Sequence, residues 1–67
     1  MNKHTKRYFS EMYGQQGDGV DLNAIAEAIR SGGDSYYIQE AIWEIEDESV
    51  RDVFQTELIK KKYKFEG

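Results

Sequence analysis

Apolar residues recur three or four positions apart along most of this chain, which is the spacing of side chains on one face of an α-helix. Four such stripes can be distinguished. They consist of Tyr8, Phe9, Met12 and Tyr13; of Leu22, Ile25, Ala26 and Ile29; of Ile38, Ala41, Ile42 and Ile45; and of Val50, Val53, Phe54 and Leu58. The pattern predicts an all-α fold, a small bundle of three or four short helices.

Glycine and aspartate residues mark where the first three helices are expected to begin and end. The first helix should stop at Gly14 and the second at the pair Gly32 and Gly33, because glycine adopts the left-handed conformation of a helix C-terminus without steric cost. Asp21 and Asp34 should cap the second and third helices, since an aspartate oxygen can accept hydrogen bonds from the first backbone N–H groups of a helix.

The boundary between the third and fourth helices is less strongly marked. The apolar phase changes after Ile45, and Ser49 followed by Asp52 resembles a capping box. We therefore expect a break at residues 46–49. Residues 34–65 contain neither glycine nor proline, so a single bent helix is the alternative.

The length of the chain predicts one small helical domain over residues 1–67, with frayed ends at residues 1–4 and 64–67. The last nine residues, IKKKYKFEG, fit a frayed helix or a short strand. A domain of this size buries only about 60% of the surface of its unfolded chain. Without cysteine it has no disulfide, so apolar packing must stabilise it alone. Marginal stability and self-association into a homo-oligomer are the expected consequences.

Charge is distributed unevenly along the chain. The formal charge is +2 in residues 1–17, −8 in residues 18–52 and +2 in residues 53–67, for a net charge of −4. A nucleic-acid-binding protein needs a basic face, so this acidic centre favours a larger protein with a basic surface as the partner. The chain has no apolar run of membrane-spanning length and no signal-peptide pattern at its start, which predicts a cytoplasmic protein that does not contact membranes.

The residues usually found in catalytic and cofactor sites are scarce. The single histidine, His4, lies at the expected frayed end, and a fold this small has little room for a pocket that would shift a carboxylate pKa. The stretch GDGVDLN lacks the ligand pattern of a calcium loop, and GQQGDG lacks the lysine of a phosphate loop. We therefore expect no catalytic residue, no cofactor, no metal and no enzymatic activity.

The stretch AIAEAIRSGGDSYYIQEAIWEI, about a third of the chain, resembles the helical hairpin that precedes the DNA-binding helix-turn-helix in antidote proteins of bacterial addiction modules. The shared features are a paired helix, a Gly-Asp turn and the pattern Y-I-x-x-A-I-x-x-I. The segment that follows, ESVRDVFQTELIKKKYKFEG, lacks the second-helix and turn pattern that carries DNA binding in that family. The resemblance therefore implies a helical hairpin and transfers neither a function nor site residues.

The third predicted helix has aromatic residues on two faces. Tyr36 and Trp43 are seven positions apart and lie nearly opposite the apolar stripe, with Glu40 between them. One interpretation packs both rings on the first helix. The other is an exposed aromatic surface with acidic neighbours, the composition of a protein-binding hot spot. On the second interpretation the candidate partner-binding residues are Tyr36, Glu40, Trp43, Glu44, Glu46 and Asp47.

Two classes of function follow. The first is a non-enzymatic interaction protein that inhibits or modulates a larger protein by occupying its basic, nucleic-acid-binding surface, as small phage or mobile-element inhibitors do. The second is a regulatory or accessory protein that contacts nucleic acid through the lysine-rich tail KKKYKF, either as a monomer or as a dimer. We expect the first, because lysines in the last turn of a helix also complement its dipole. A helical oligomerisation module is a third outcome.

Overall fold

Four helices make up most of the chain in a computed structural model, which describes residues 1–17 and 19–63. They are α1 (Lys3–Tyr13), α2 (Leu22–Ser31), α3 (Ser35–Trp43) and α4 (Glu48–Tyr63). No strand occurs in the described residues. The predicted all-α bundle is confirmed, and α3 and α4 are separate helices rather than the single bent helix considered as the alternative.

The first three helices have the predicted caps. Gly14 and Gly32 end α1 and α2 in the left-handed conformation, with φ of 69° and 76°. Asp21 and Asp34 each accept hydrogen bonds of 2.9 to 3.3 Å from backbone N–H groups in the first turn of the helix that follows. These contacts span only two or three residues, so sequence spacing was sufficient to predict them.

The N-terminal residues cap and begin α1. This helix begins at Lys3, and the side chain of Asn2 caps it by accepting a 2.9 Å hydrogen bond from the backbone N–H of Thr5. Fraying of residues 1–4 in solution stays a prediction, which NMR relaxation would measure. The frayed segment expected at residues 64–67 lies outside the described residues.

The connection between α3 and α4 differs from the prediction. The third helix ends at Trp43, and Asp47 rather than Ser49 caps the fourth. The Asp47 carboxylate accepts hydrogen bonds from the backbone N–H groups of Ser49 and Val50, at 2.9 and 3.2 Å. The fourth helix therefore begins two residues earlier than expected, because a carboxylate at position 47 satisfies two free N–H groups and complements the helix dipole.

The helices α2 and α3 form the centre of the bundle. Both α1 and α4 pack against this pair, and within the described residues α1 and α4 do not contact each other. Each helix contributes to the apolar core: Phe9 from α1, Ile25 from α2, Ile38 and Ile42 from α3, and Leu58 from α4. With neighbours on its other sides, α3 has one face left towards solvent.

Three residues assigned to apolar stripes are exposed. Met12 and Val53 lie on the outer helices α1 and α4, which are covered only on the side that meets the α2–α3 pair. Leu22 is the first residue of α2 and lies at the edge of the packed region. Within α2, Ala24 and Ala28 are buried along with the predicted isoleucines. The stripe predictions were wrong at these three exposed positions.

Candidate functional site

The third helix presents two chemically different faces. Ile38, Ala41 and Ile42 are buried, whereas Tyr36 and Trp43 are 65% and 64% exposed. At 100° per residue the two rings lie nearly opposite the buried stripe. The interpretation in which both rings pack on α1 is therefore wrong, and α3 carries an exposed aromatic surface.

A cleft of about 270 Å³ lies along this surface between α3 and α4. Its walls are formed by Ser35, Tyr36, Gln39, Glu40, Trp43 and Leu58. Glu40 lies one helical turn from each of the two exposed rings, and its Oε1 accepts a 3.1 Å hydrogen bond from Nδ2 of Asn2. The cleft thus brings together three of the candidate residues, Tyr36, Glu40 and Trp43, with a carboxylate between two aromatic rings.

Glu44 lies one turn beyond Glu40 and does not line the cleft. Its Oε1 is 2.8 Å from the amino group of Met1, an ion pair that joins the start of α1 to the end of α3. Glu44 lies at a helix end, where the dipole disfavours negative charge. The amino group of Met1 offsets that charge, so the ion pair gives Glu44 a structural role.

Glu46 and Asp47 lie in the connection between α3 and α4, and both are exposed. Asp47 is the N-cap of α4 and so has a structural role. Glu46 has no hydrogen bond or ion pair with any other described residue. Neither residue lines the cleft, and both follow Trp43 within four positions of the chain.

Three residues of the cleft were not among the candidates: Ser35, Gln39 and Leu58. Gln39 and Gln55 exchange two amide hydrogen bonds of 2.7 and 3.1 Å, which join α3 to α4. Gln39 is three positions from Tyr36, so helical spacing alone could have identified it. Leu58 belongs to another helix, and only tertiary packing brings it to the cleft.

A cluster of tyrosine rings supports the start of α3. Tyr8 of α1 stacks on Tyr37, with ring centroids 4.6 Å apart, and Tyr37 meets Tyr36 edge-on at 5.4 Å. The hydroxyl of Tyr8 accepts a 2.8 Å hydrogen bond from the backbone N–H of Asp34. Burial raises the pKa of the Tyr8 phenol, with a smaller contribution from Tyr13. The first turn of α3 is therefore fixed against α1.

A second depression, of about 280 Å³, lies between α2 and α4 and includes part of the lysine-rich segment. Its cationic groups have partners within the fold. Arg30 is 3.4 Å from Glu27, and Lys60 is 4.0 Å from Glu57. Lys61 donates a 3.1 Å hydrogen bond to the Arg30 carbonyl at the end of α2. The remainder of the tail, from residue 64 onward, lies outside the described residues.

Among the described residues, no group of three or more His, Cys, Asp or Glu side chains is arranged to hold a metal ion. None of the helices, as far as they are described, has the length and apolar character of a membrane span. Comparison with protein-family models, with curated proteins and with solved structures finds no match to this chain. Its site is therefore interpreted from its own residues.

Proposed function

We propose that this chain is a non-enzymatic protein-binding module whose partner has a basic surface. The proposal depends on one observation: Tyr36 and Trp43 are about two-thirds exposed on either side of Glu40, on a helix whose isoleucines are buried. Tryptophan and tyrosine supply much of the binding energy at protein interfaces. Neighbouring charges guide the encounter and exclude partners of the same charge.

The charge distribution favours a basic partner. The central segment, residues 18–52, has a formal charge of −8 and includes the cleft residue Glu40 together with Glu44, Glu46 and Asp47 beyond it. A basic surface large enough to match this acidic segment is typical of a nucleic-acid-binding site. The chain would then act as a nucleic-acid mimic that blocks such a site and so inhibits or modulates its partner. Small phage and mobile-element inhibitors provide the analogy.

Site-specific photo-crosslinking tests this proposal. The photoreactive residue benzoylphenylalanine replaces Tyr36 in one variant and Val53 in a control, because Val53 is similarly exposed on α4. We expect the first variant, and not the control, to crosslink to a protein in the native host, and nucleic acid to compete with this crosslink when the purified partner is used. Equal crosslinking from both positions, or no protein crosslink from position 36, would contradict the proposal.

A charge reversal tests the steering component. Glu46→Lys is suitable, because Glu44 and Asp47 have structural contacts whereas Glu46 has none with the described residues. Association with the crosslinked partner should become slower and less dependent on salt, since exposed charges act mainly on the encounter rate. Asp52→Lys on α4 is the matched control, because Asp52 is exposed and, like Glu46, has no hydrogen bond or ion pair with the described residues. Equal effects of the two reversals would indicate that only net charge matters.

The alternative is a regulatory or accessory protein that binds nucleic acid through its lysine-rich end. One observation favours it: Arg30, Lys60 and Lys61 border the same depression. The test is binding to a fluorescent DNA duplex before and after deletion of residues 60–67, which removes Lys60 and Lys61 with the rest of the tail. Tight binding that is lost on deletion would support the alternative, and absence of binding by the full chain would exclude it.

A further inference from the structure

The dimensions of the α3–α4 cleft limit what it can hold. Ligand pockets that enclose a whole small molecule usually measure about 300–1,000 Å³. At about 270 Å³ the cleft lies just below this range, and it is open to solvent along the helix. One extended side chain of a partner matches it better than a cofactor or metabolite does.

The lining of the cleft selects the chemistry of that side chain. Tyr36 and Trp43 contribute aromatic rings to the lining, and the π-electrons of such rings attract cations. The Glu40 carboxylate between them has about four positions at which it can accept a hydrogen bond, and Asn2 occupies one of these. Leu58 adds an apolar wall, suited to a methylene stem. A long side chain with a positive end satisfies all three groups.

Arginine fits this lining better than lysine. Its planar guanidinium can stack on an aromatic ring while its N–H groups donate in pairs to a carboxylate. The ammonium of lysine is a more strongly hydrated point charge and cannot stack. We propose that the cleft is the binding site for an arginine side chain of the partner, an inference that rests on the protein-binding function proposed above.

Two depressions of similar volume on the described surface do not offer this combination. The depression between α2 and α4 has a similar volume but includes Arg30, Lys60 and Lys61, which would repel a guanidinium. A depression on α4 is lined by Asp52, Val53, Thr56 and Glu57 and has carboxylates without an aromatic ring. Volume alone therefore does not select the α3–α4 cleft, whereas its side chains do.

Peptide titration tests the inference directly. Nona-arginine and nona-lysine are added separately to the full chain at about 150 mM salt, where general charge attraction is largely screened. Trp43 is the only tryptophan of the sequence, so its fluorescence reports on the cleft. We expect nona-arginine to bind about two- to fivefold more tightly than nona-lysine, the range expected from an exposed cation–π contact.

Two matched variants complete the experiment. Glu40→Gln keeps an oxygen that can accept the Asn2 hydrogen bond but removes the charge, and it should weaken nona-arginine binding about three- to tenfold. Glu57→Gln removes an exposed carboxylate of α4 outside this cleft and should have little effect. Far-UV circular dichroism verifies that both variants remain folded.

The outcomes separate this inference from the proposed function. Equal affinity for the two peptides, or equal effects of Glu40→Gln and Glu57→Gln, would overturn the arginine inference. The protein-binding proposal would survive that result if Tyr36 still crosslinked to a basic protein. Conversely, an arginine preference that depends on Glu40 would support the cleft as an arginine site even if crosslinking from position 36 found no protein partner.

Discussion

The backbone N–H of Asp34 donates a 2.8 Å hydrogen bond to the hydroxyl of Tyr8, so a ring of α1 holds the N-cap residue of α3. Asp34 in turn accepts a 2.9 Å hydrogen bond from the backbone N–H of Tyr36. The two hydrogen bonds of Asp34 thereby link the position of Tyr36, an exposed residue of the cleft, to the contact between α1 and the start of α3. Changes near Tyr8 should consequently affect both the stability of the fold and the geometry of the cleft.

Substitution of Gly33 tests the contact between Tyr8 and Asp34, because Gly33 directly precedes Asp34. A Cβ atom there would lie 2.5 Å from the Tyr13 hydroxyl, 2.7 Å from the Tyr8 hydroxyl and 3.3 Å from the Ala28 carbonyl oxygen. Both hydroxyls already hold hydrogen bonds, so neither can move without cost. Gly33→Ala should lower the free energy of unfolding by about 1–3 kcal/mol, measured by urea denaturation. Gly19→Ala is the control, because a Cβ there meets no atom within 4 Å.

The cap of α4 makes a second prediction. Asp47→Ala removes the acceptor for two backbone N–H groups and should cost about 1 kcal/mol of stability. Ser49→Ala should change stability by less than about 0.5 kcal/mol, as expected for an exposed residue that is not the cap. Thermal denaturation of the two variants provides the measurement. A larger loss of stability for Ser49→Ala than for Asp47→Ala would show that Ser49 is the cap.

Trp43 and Ile42 are adjacent in α3, but truncation to alanine should destabilise the fold far less at Trp43 than at Ile42. Trp43→Ala should leave the helical circular dichroism spectrum intact and change stability by about 1 kcal/mol or less, because most of the ring is already in water. Ile42→Ala should cost about 2–5 kcal/mol, because its side chain is completely buried. If Trp43→Ala unfolded the protein, the ring would belong to the core and the cleft would lose its proposed role.

The pH dependence of stability should include a contribution from Tyr8. Burial raises the pKa of its phenol above the ordinary value of about 10, so the folded state binds this proton more tightly than the unfolded state. The resulting stabilisation is complete below the ordinary pKa and is lost as pH rises through the folded pKa. Denaturation at a series of alkaline pH values should show a steeper loss for the natural chain than for Tyr8→Phe.

Tyr36→Phe is the matched control for this pH experiment, since its hydroxyl is on an exposed ring. At neutral pH, Tyr8→Phe should also cost about 1 kcal/mol, because the backbone N–H of Asp34 loses its acceptor. Identical alkaline slopes for the natural chain and Tyr8→Phe would show that Tyr8 does not contribute to the pH dependence.

The helix ends could be predicted because they depend on local contacts. Which apolar residues are covered by other helices could not be predicted. Asp21, Gly32 and Asp34 act on backbone groups within a few residues, so their spacing specified their roles. Met12 and Val53 follow the apolar spacing equally well but are exposed. Whether another helix covers them depends on the packing of the whole bundle, which periodicity does not specify.

The candidate site also has one part that the sequence predicts and another that it does not. Helical geometry placed Tyr36, Glu40 and Trp43 on one face before the fold was known. Their assembly into a cleft requires Leu58, and the orientation of Glu40 requires Asn2, 38 positions away in sequence. No local pattern connects residues so far apart, so the aromatic surface could be predicted and the cleft could not.

The separation of α1 from α4 divides the molecule into parts that can open independently. Val50, Phe54 and Leu58 pack α4 against the core, whereas Val53 and Ile59 remain exposed. Because α4 does not contact α1 in the described residues, α4 can unfold locally while α1 stays packed on α2 and α3. Because Leu58 is a wall of the cleft, each such opening removes the site. An occupant of the cleft should therefore slow amide hydrogen exchange along α4 more than along α1, so that occupancy is recorded on a helix that contributes a single wall residue.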